Sequence, residues 1–559
     1  MLSFAVFDDA GPAREWPLTH AFLVGPGNSP VPAEIEFLGG VIRCEKRAAD
    51  AAGISLLFPV EPIQPAPGSP AAPPGARGVL MLQTCLLPER PAPYLLSVEL
   101  ARHRLMLVIN KLEDWALFDL PPEDLVLGVF ERARLAFTEA VTAQGSGPGR
   151  AAGEARGYSQ QADRLGREAL ALALEASELL AVRQARLGQE RRYSGELVAL
   201  AERYRPPENA LTEHETRESI NALTGTVGVI LPAAPLIGCT VSPDQSSPAL
   251  QQAVQSTCDF LCMPMRWVEM EPNEGRYTFT PTDKWIEWAV RTAKIPVVGG
   301  PVIDFRSRCV PEWMYIWEHD YETLRELVYE YVKNIVTRYR RTVGTWTAVS
   351  GLNVNGNLTR TIEQMMDLTR VCVALVRKLQ PNAVVQVEVD QPWGEYHGAN
   401  PRSMPPMMYA EVVSQAAVNA DVIGLRIQMG QPEEKAGKGY GRPTRDLMAL
   451  SALLDEYAEL DKPIAVTALG APSRPTDPAA GFWRRPWSPE AQADWVAATT
   501  AIIASKPYVK SICWQELCDT ARLPGCDGLV GADGQPKLAI KRLAEVRQSL
   551  REKRVFPVL

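Results

Sequence analysis

Between Leu236 and Glu552, eight short apolar runs alternate with eight amphipathic stretches, which predicts an α/β fold closed as a (β/α)8 TIM barrel. The chain before it changes character twice. Residues 1–88 hold short apolar runs cut by Gly and Pro, the pattern of a β-rich, sandwich-like region. Residues 89–205 carry helical periodicity. The predicted organisation is therefore a β-rich region (1–88), a helical segment with a Gly-rich break (89–205), a linker (206–235) and the barrel (236–559).

Element by element, the strands expected at the N-terminus are Phe4–Phe7, Ala21–Val24, Glu34–Phe37, Ile54–Phe58 and Val79–Thr84. Pro59 to Gly78, rich in Pro, Ala and Gly, reads as a loop. Leu95–Phe118, Asp124–Val141 and Ser159–Arg192 read as helices, the last long and amphipathic, with Ala143–Gly157 as the break. This segment suits packing or self-association, so a homo-oligomer is one expectation. The barrel strands are placed at Ile237–Val241, Phe260–Pro264, Val297–Ile303, Thr345–Val349, Val384–Val389, Val422–Ile427, Ile464–Thr467 and Ser511–Trp514. The helices follow at Pro248–Thr257, Thr282–Thr292, Tyr321–Arg340, Thr361–Leu379, Met407–Asn419, Arg445–Leu460, Glu490–Ser505 and Leu538–Glu552. In such a barrel, chemistry belongs at the C-terminal ends of the strands.

Composition narrows the function classes. With 46% hydrophobic and 22% charged residues among 559, wholesale disorder is excluded. A net charge of −8 argues against a nucleic-acid partner. No run reaches the ~18 apolar residues of a membrane helix, so no membrane association is expected. Asp8, Asp9, Arg14 and Glu15 interrupt the stretch where a secretory signal needs an apolar core, so the expected location is cytoplasmic. Ten cysteines are too sparse for a disulfide scaffold. Cys258/Cys262 and Cys513/Cys518 lack a neighbouring His, so neither a metal nor a cofactor is expected.

The run Met265-Arg266-Trp267-Val268-Glu269-Met270-Glu271-Pro272-Asn273-Glu274-Gly275-Arg276-Tyr277-Thr278-Phe279 is distinctive. It resembles the second βα unit of glycoside hydrolase family 10, the endo-β-1,4-xylanases. Further landmarks fall in family order: Gly300 with Pro311 and Trp313, Tyr339 and Trp346, Asp421-Val422-Ile423-Gly424, Val466 to Gly470, Trp514, and Asp533 to Ala539. The resemblance covers about residues 236–550 and implies a xylanase-like barrel with a carbohydrate ligand. Residues 1–205 do not match the family.

The family's retaining chemistry needs two carboxylates, an acid/base and a nucleophile, about 5–5.5 Å apart. At the acid/base position this chain has Gly351, preceded by Ser350. At the nucleophile position it has Ala468. No shift of register restores either group, because no Asp or Glu lies between Glu330 and Glu363, or between Asp461 and Asp477. The resemblance therefore implies a barrel without the family's catalytic pair, carbohydrate-binding or structural in role.

Two alternatives stay open. Carboxylates moved to Asp304, Glu388, Asp390 or Glu516 would make an active hydrolase. Glu388 and Asp390, two apart on a strand, point the same way. The plainer reading is that these acids pair with Arg266, Arg306, Arg308 and Arg426. A candidate sugar groove would draw on Arg266, Trp267, Arg306, Trp393, His397, Gln428 and Trp514. In the other alternative, the chain is purely a structural assembly subunit. His103 reads as structural. The basic loop Lys435–Arg442 lacks the order of a phosphate-binding loop.

Overall fold

Parallel pairing runs from strand to strand around the barrel and returns to its start. The first barrel strand, Leu236–Thr240, pairs with the second, Phe260–Met263, on one side and with the eighth, Val509–Trp514, on the other. The fourth to seventh strands are Val343–Ser350, Val384–Asp390, Val422–Gln428 and Ile464–Gly470. The third is in two pieces, Val297–Gly299 and Ile303–Asp304, each pairing with the fourth. The expected continuous run Val297–Ile303 is broken by Gly300-Pro301, whose peptide bond is cis. This computed structural model describes residues 1–47, 50–61, 78–144, 158–196, 234–432, 441–520 and 525–556. Most of the expected Pro-rich loop, Gly-rich break, 206–235 linker and 435–442 basic loop lies outside the described residues.

The barrel helices fall where the periodicity places them, with two departures. The helix expected at Thr282–Thr292 is α-helical over Thr280–Glu287 and then widens into a π-helical turn, Trp288–Ala293. The helix expected at Met407–Asn419 spans Pro406–Ser414, because Gln415 turns extended and caps it. No helix among the described residues is long and apolar enough to cross a membrane. All ten cysteines are free thiols.

The described residues of 1–95 build two small sheets and a two-stranded ribbon, Phe7–Asp8 with Gly11–Pro12. In one, Leu2–Ala5 lies between the two-residue strand Tyr94–Leu95 and Val41–Lys46, and Val41–Lys46 pairs on with Ala33–Leu38. Val41–Lys46 was not expected from sequence; three charges among its six residues mask its alternation. The other sheet holds Phe22–Val24, Gly53–Val60 and Gly78–Gln83. It gains a barrel-loop strand, Phe482–Trp483, which pairs with Gly78 and Val79.

Three helices follow: α1 (Leu96–Asp114), α2 (Leu125–Gln144) and α3 (Gln160–Tyr193). Ser159 caps α3 by accepting from the Ala162 amide. The long apolar face of α3 is spent within the chain. Gln189 Nε2 donates to the Ala501 carbonyl at 3.3 Å, and Arg192 donates to the Lys506 carbonyl at 2.8 Å. Glu178 of α3 accepts from Trp483 Nε1 at 2.7 Å and from Arg484.

The tightest tie between α1 and the barrel is Arg104, which donates twice to Asp446, at 2.8 and 2.7 Å. Both side chains are buried, and Asp446 also caps the barrel helix Leu447–Ala458 by accepting from the Met448 and Ala449 amides. Asp446→Ala leaves a buried guanidinium unpaired and the helix uncapped. It should cost about 3–5 kcal/mol, read as a lower midpoint in chemical denaturation.

Candidate functional site

A cavity of about 140 Å³ runs through the barrel interior, from Leu236, Phe260 and Ser511 near the N-terminal ends of the strands to charged groups at their C-terminal ends. Charged side chains on its wall include Arg266, Asp304, Arg306, Glu388, Arg426 and Glu516. Arg308 and Ala468 also line it. The carboxylates are almost wholly withdrawn from water, and a buried carboxylate is stable only with a partner.

Each has one. Asp304 ends the third strand and accepts from Arg306 Nε at 2.8 Å, from Arg306 Nη2, and from the Cys309 thiol at 3.3 Å. Burial opposes its charge, but the Arg306 and Arg426 guanidiniums overcome that and hold it down at about 2. Glu388 accepts from Ser350 Oγ and from Arg426 Nη1 at 3.2 Å. Asp390, on the same strand face, accepts from Arg442 Nη2 at 2.8 and 2.9 Å, with Arg426 Nε at 3.7 Å. It too is held below the ordinary carboxylate range: burial pushes upward, and Arg442, Arg306 and Arg426 more than offset it. Glu516 accepts from Ser242 Oγ at 3.1 Å and lies 3.8 Å from Arg266, which also donates to Glu269 at 3.0 Å.

Gly351 and Ala468, where the resemblance would place the family's two glutamates, lie against this lattice. Ala468 pairs in register with Arg426 on the neighbouring strand, and both residues line the cavity. At Gly424, two residues earlier on that strand, a Cβ would come within 2.9 Å of Thr467 Cγ2, so the strands approach closely there. Gly351 follows Ser350 with φ +69°, the left-handed region. A Cβ on it would clear Asp390 Oδ2 by 3.8 Å and Arg306 Cγ by 4.0 Å, so the backbone, not crowding, favours glycine.

The candidate groove residues do not converge. Of the seven, only Arg266 and Arg306 line the mouth cavity. Trp267 is buried, stacked on Tyr331 at 4.3 Å between ring centres and bonded to Glu271 at 2.9 Å. Trp514 is buried edge-on to Trp495 and donates to the Asp527 carbonyl at 2.8 Å. Gln428 donates to Gln515. His397 contacts Ser403 Oγ at 2.9 Å through Nδ1, in the short helix Glu395–Ala399, and burial lowers its pKa. Trp393 lies under Arg445, 4.4 Å from the ring centre, beside a different cavity.

Two site residues escaped the sequence reading. Arg442 closes the basic loop after the sixth strand, and that basic run was the signal that pointed to it. Asp527, in the loop after the eighth strand, gave no signal. It accepts from Gln431 Nε2 and Gln515 Nε2, both at 2.5 Å, while its Oδ1 has no partner among the described residues. Burial pushes its carboxyl up to about 6, with the Gln431 and Gln515 amides and Lys537 offsetting only part of that.

The Glycosyl hydrolase family 10 model matches residues 231–365. Endo-1,4-beta-xylanase B of Thermotoga neapolitana is 29% identical over 86 residues, 15% of this chain and 24% of that protein. The chain thus spans about a quarter of that curated relative's length. Among solved structures, native xylanase 10B from Thermotoga maritima aligns with a TM-score of 0.43 at 17% identity, over 57% of this chain and 97% of that one. Native xylanase10C from Cellvibrio japonicus aligns with a TM-score of 0.42 at 15% identity, over 56% and 71%. The closed parallel barrel and the family match together define a glycoside hydrolase family 10-like TIM barrel, preceded by a β-rich region and a helical segment.

The geometry generates two predictions. Asp527 binds its proton more tightly folded than unfolded, so its contribution to stability declines as pH rises from about 4 to about 6. Asp527→Asn should remove that decline and stabilise the protein at neutral pH by an amount on the order of 2 kcal/mol, read from denaturation midpoints against pH. Gly351→Ala should cost about 1–2 kcal/mol through the left-handed backbone alone, measured the same way.

Proposed function

We propose that this chain is a catalytically degenerate, xylanase-like barrel whose role is non-hydrolytic. The observation that carries the reading is the pair Gly351 and Ala468. Neither can donate a proton or attack an anomeric carbon, and retaining hydrolysis needs both functions. Arg426, in register with Ala468, supports it, because its guanidinium is already taken up by Glu388 and Asp390.

Between binding and structural roles, the mouth favours the structural one. A sugar platform needs exposed aromatic faces. Trp267 and Trp514 are buried, and Trp393 is covered by Arg445. The guanidinium–carboxylate pairs fill the mouth with groups that satisfy one another. Carbohydrate binding keeps a foothold in the polar wall that Arg266, Glu388 and Glu516 give the remaining cavity.

The test is a hydrolysis assay of the full chain on xylo- and gluco-oligosaccharides, with Glu388→Gln, Asp390→Asn and Glu516→Gln in parallel. The expected result is no turnover from folded protein. Turnover that disappears in one of the variants would overturn the reading and locate a relocated carboxylate. Calorimetry with the same sugars then separates a binder, which gives saturable heat, from a structural subunit, which gives none.

A further inference from the structure

A second cavity, of about 430 Å³, lies outside the barrel, between the N-terminal sheet, α1 and the barrel helices Pro406–Ser414 and Leu447–Ala458. That volume is in the range of small-molecule sites, about 300–1,000 Å³. Much of its wall is apolar: Phe22, Met81, Leu107, Met407, Leu453 and Tyr457. Aromatic and methionine side chains adapt to an apolar ligand body.

Its polar groups are lopsided. Both cations are already neutralised. Arg104 is bound in two hydrogen bonds by Asp446, and Arg445 meets Glu395 at 2.5 Å. What remains unspent is acceptor capacity. Glu456 lines the cavity and receives only the Asn28 amide, at 3.5 Å, among the described residues. Glu411 lines it without an ion pair among the described residues. His103, on α1, has no hydrogen-bond partner among the described residues. Burial pushes its imidazole down to about 4, leaving a neutral ring with a lone pair to offer.

The charged groups acting on Glu456 are Glu459, on its own helix, and Lys111 of α1. Lys111 is itself held by Asp114 at 3.0 Å and Asp455 at 3.4 Å. Burial pushes the Glu456 carboxyl up to about 7. A cavity whose cations are matched and whose acceptors are not is complementary to a ligand that brings hydrogen-bond donors and a positive charge.

We propose that this cavity binds a small organic amine, a primary ammonium on an aliphatic or aromatic body, with its head held by Glu456. The body lies against Met81, Met407 and Leu453. The site is independent of the barrel mouth, and its occupancy does not depend on whether the barrel hydrolyses or binds a sugar.

The test is titration calorimetry on the full chain at about pH 8, where most of Glu456 is ionised. The probes are 2-phenylethylamine, 2-phenylethanol and 3-phenylpropanoate, which share an aromatic body and differ in charge. The amine should bind at least about tenfold more tightly than the alcohol, and the carboxylate most weakly. Glu456→Gln should erase the advantage of the amine over the alcohol. Ala452→Phe, which fills the cavity from the Leu447–Ala458 helix, should abolish binding of all three, with the melting transition showing that the chain is folded. Equal affinity for the three probes, preference for the carboxylate, or no binding to folded protein would overturn the proposal. So would an amine preference that survives Glu456→Gln. Should that variant fail to fold, the order of the three probes and the Ala452→Phe result decide.

Discussion

A carboxylate taken out of water must meet a cation or give up its charge, and the barrel mouth is organised by that requirement. Asp304, Glu388, Asp390 and Glu516 are all buried there, and Arg306, Arg426, Arg442 and Arg266 stand against them. Arg426 is the shared member, reaching both Glu388 and Asp390 from the sixth strand. Desolvation makes such a lattice weakly stabilising at best, while loss of one partner is costly. The mouth is therefore specified by ion pairs whose members satisfy one another.

The same logic ties the helical segment to the barrel. Glu178, Asp446 and Asp455 each collect several donors, at least one of them from across the boundary. Asp455 takes Lys506 at 2.6 Å, Tyr508 at 2.8 Å and Trp115 Nε1 at 3.1 Å. These contacts use side chains from α1 and α3 on one side and from barrel helices and loops on the other. With Phe482–Trp483 added to the N-terminal sheet, the regions read from sequence as successive units share strands, caps and buried charges.

Two cavities result, and they differ in what they leave unsatisfied. In the mouth, opposite charges cancel locally, and the principal exception is Asp527, buried among amides with its carboxyl raised. Between the N-terminal sheet and the barrel helices, the cations are matched but Glu456 and His103 are not. Unspent hydrogen-bonding capacity on an apolar wall is what distinguishes a binding cavity from a packing gap.

The alternation of apolar runs and amphipathic stretches was enough, by itself, to determine the barrel, since period-two and period-3.6 patterns admit few other ways to bury their apolar faces. The absence of a carboxylate at Gly351 and Ala468 was equally legible, because composition over a whole interval does not depend on register. Tertiary structure alone decided which residues meet. Trp267, Trp393 and Trp514 look like a groove in sequence, yet buried indole N–H groups must find acceptors, and Trp267 and Trp514 turn inward to Glu271 and the Asp527 carbonyl. Asp527 and Arg442 enter the site from loops, whose paths carry no periodic signal. The pairing of α1 with the barrel helices is likewise invisible in the chain, because Arg104 and Asp446 stand 342 residues apart and only folding brings their charges together.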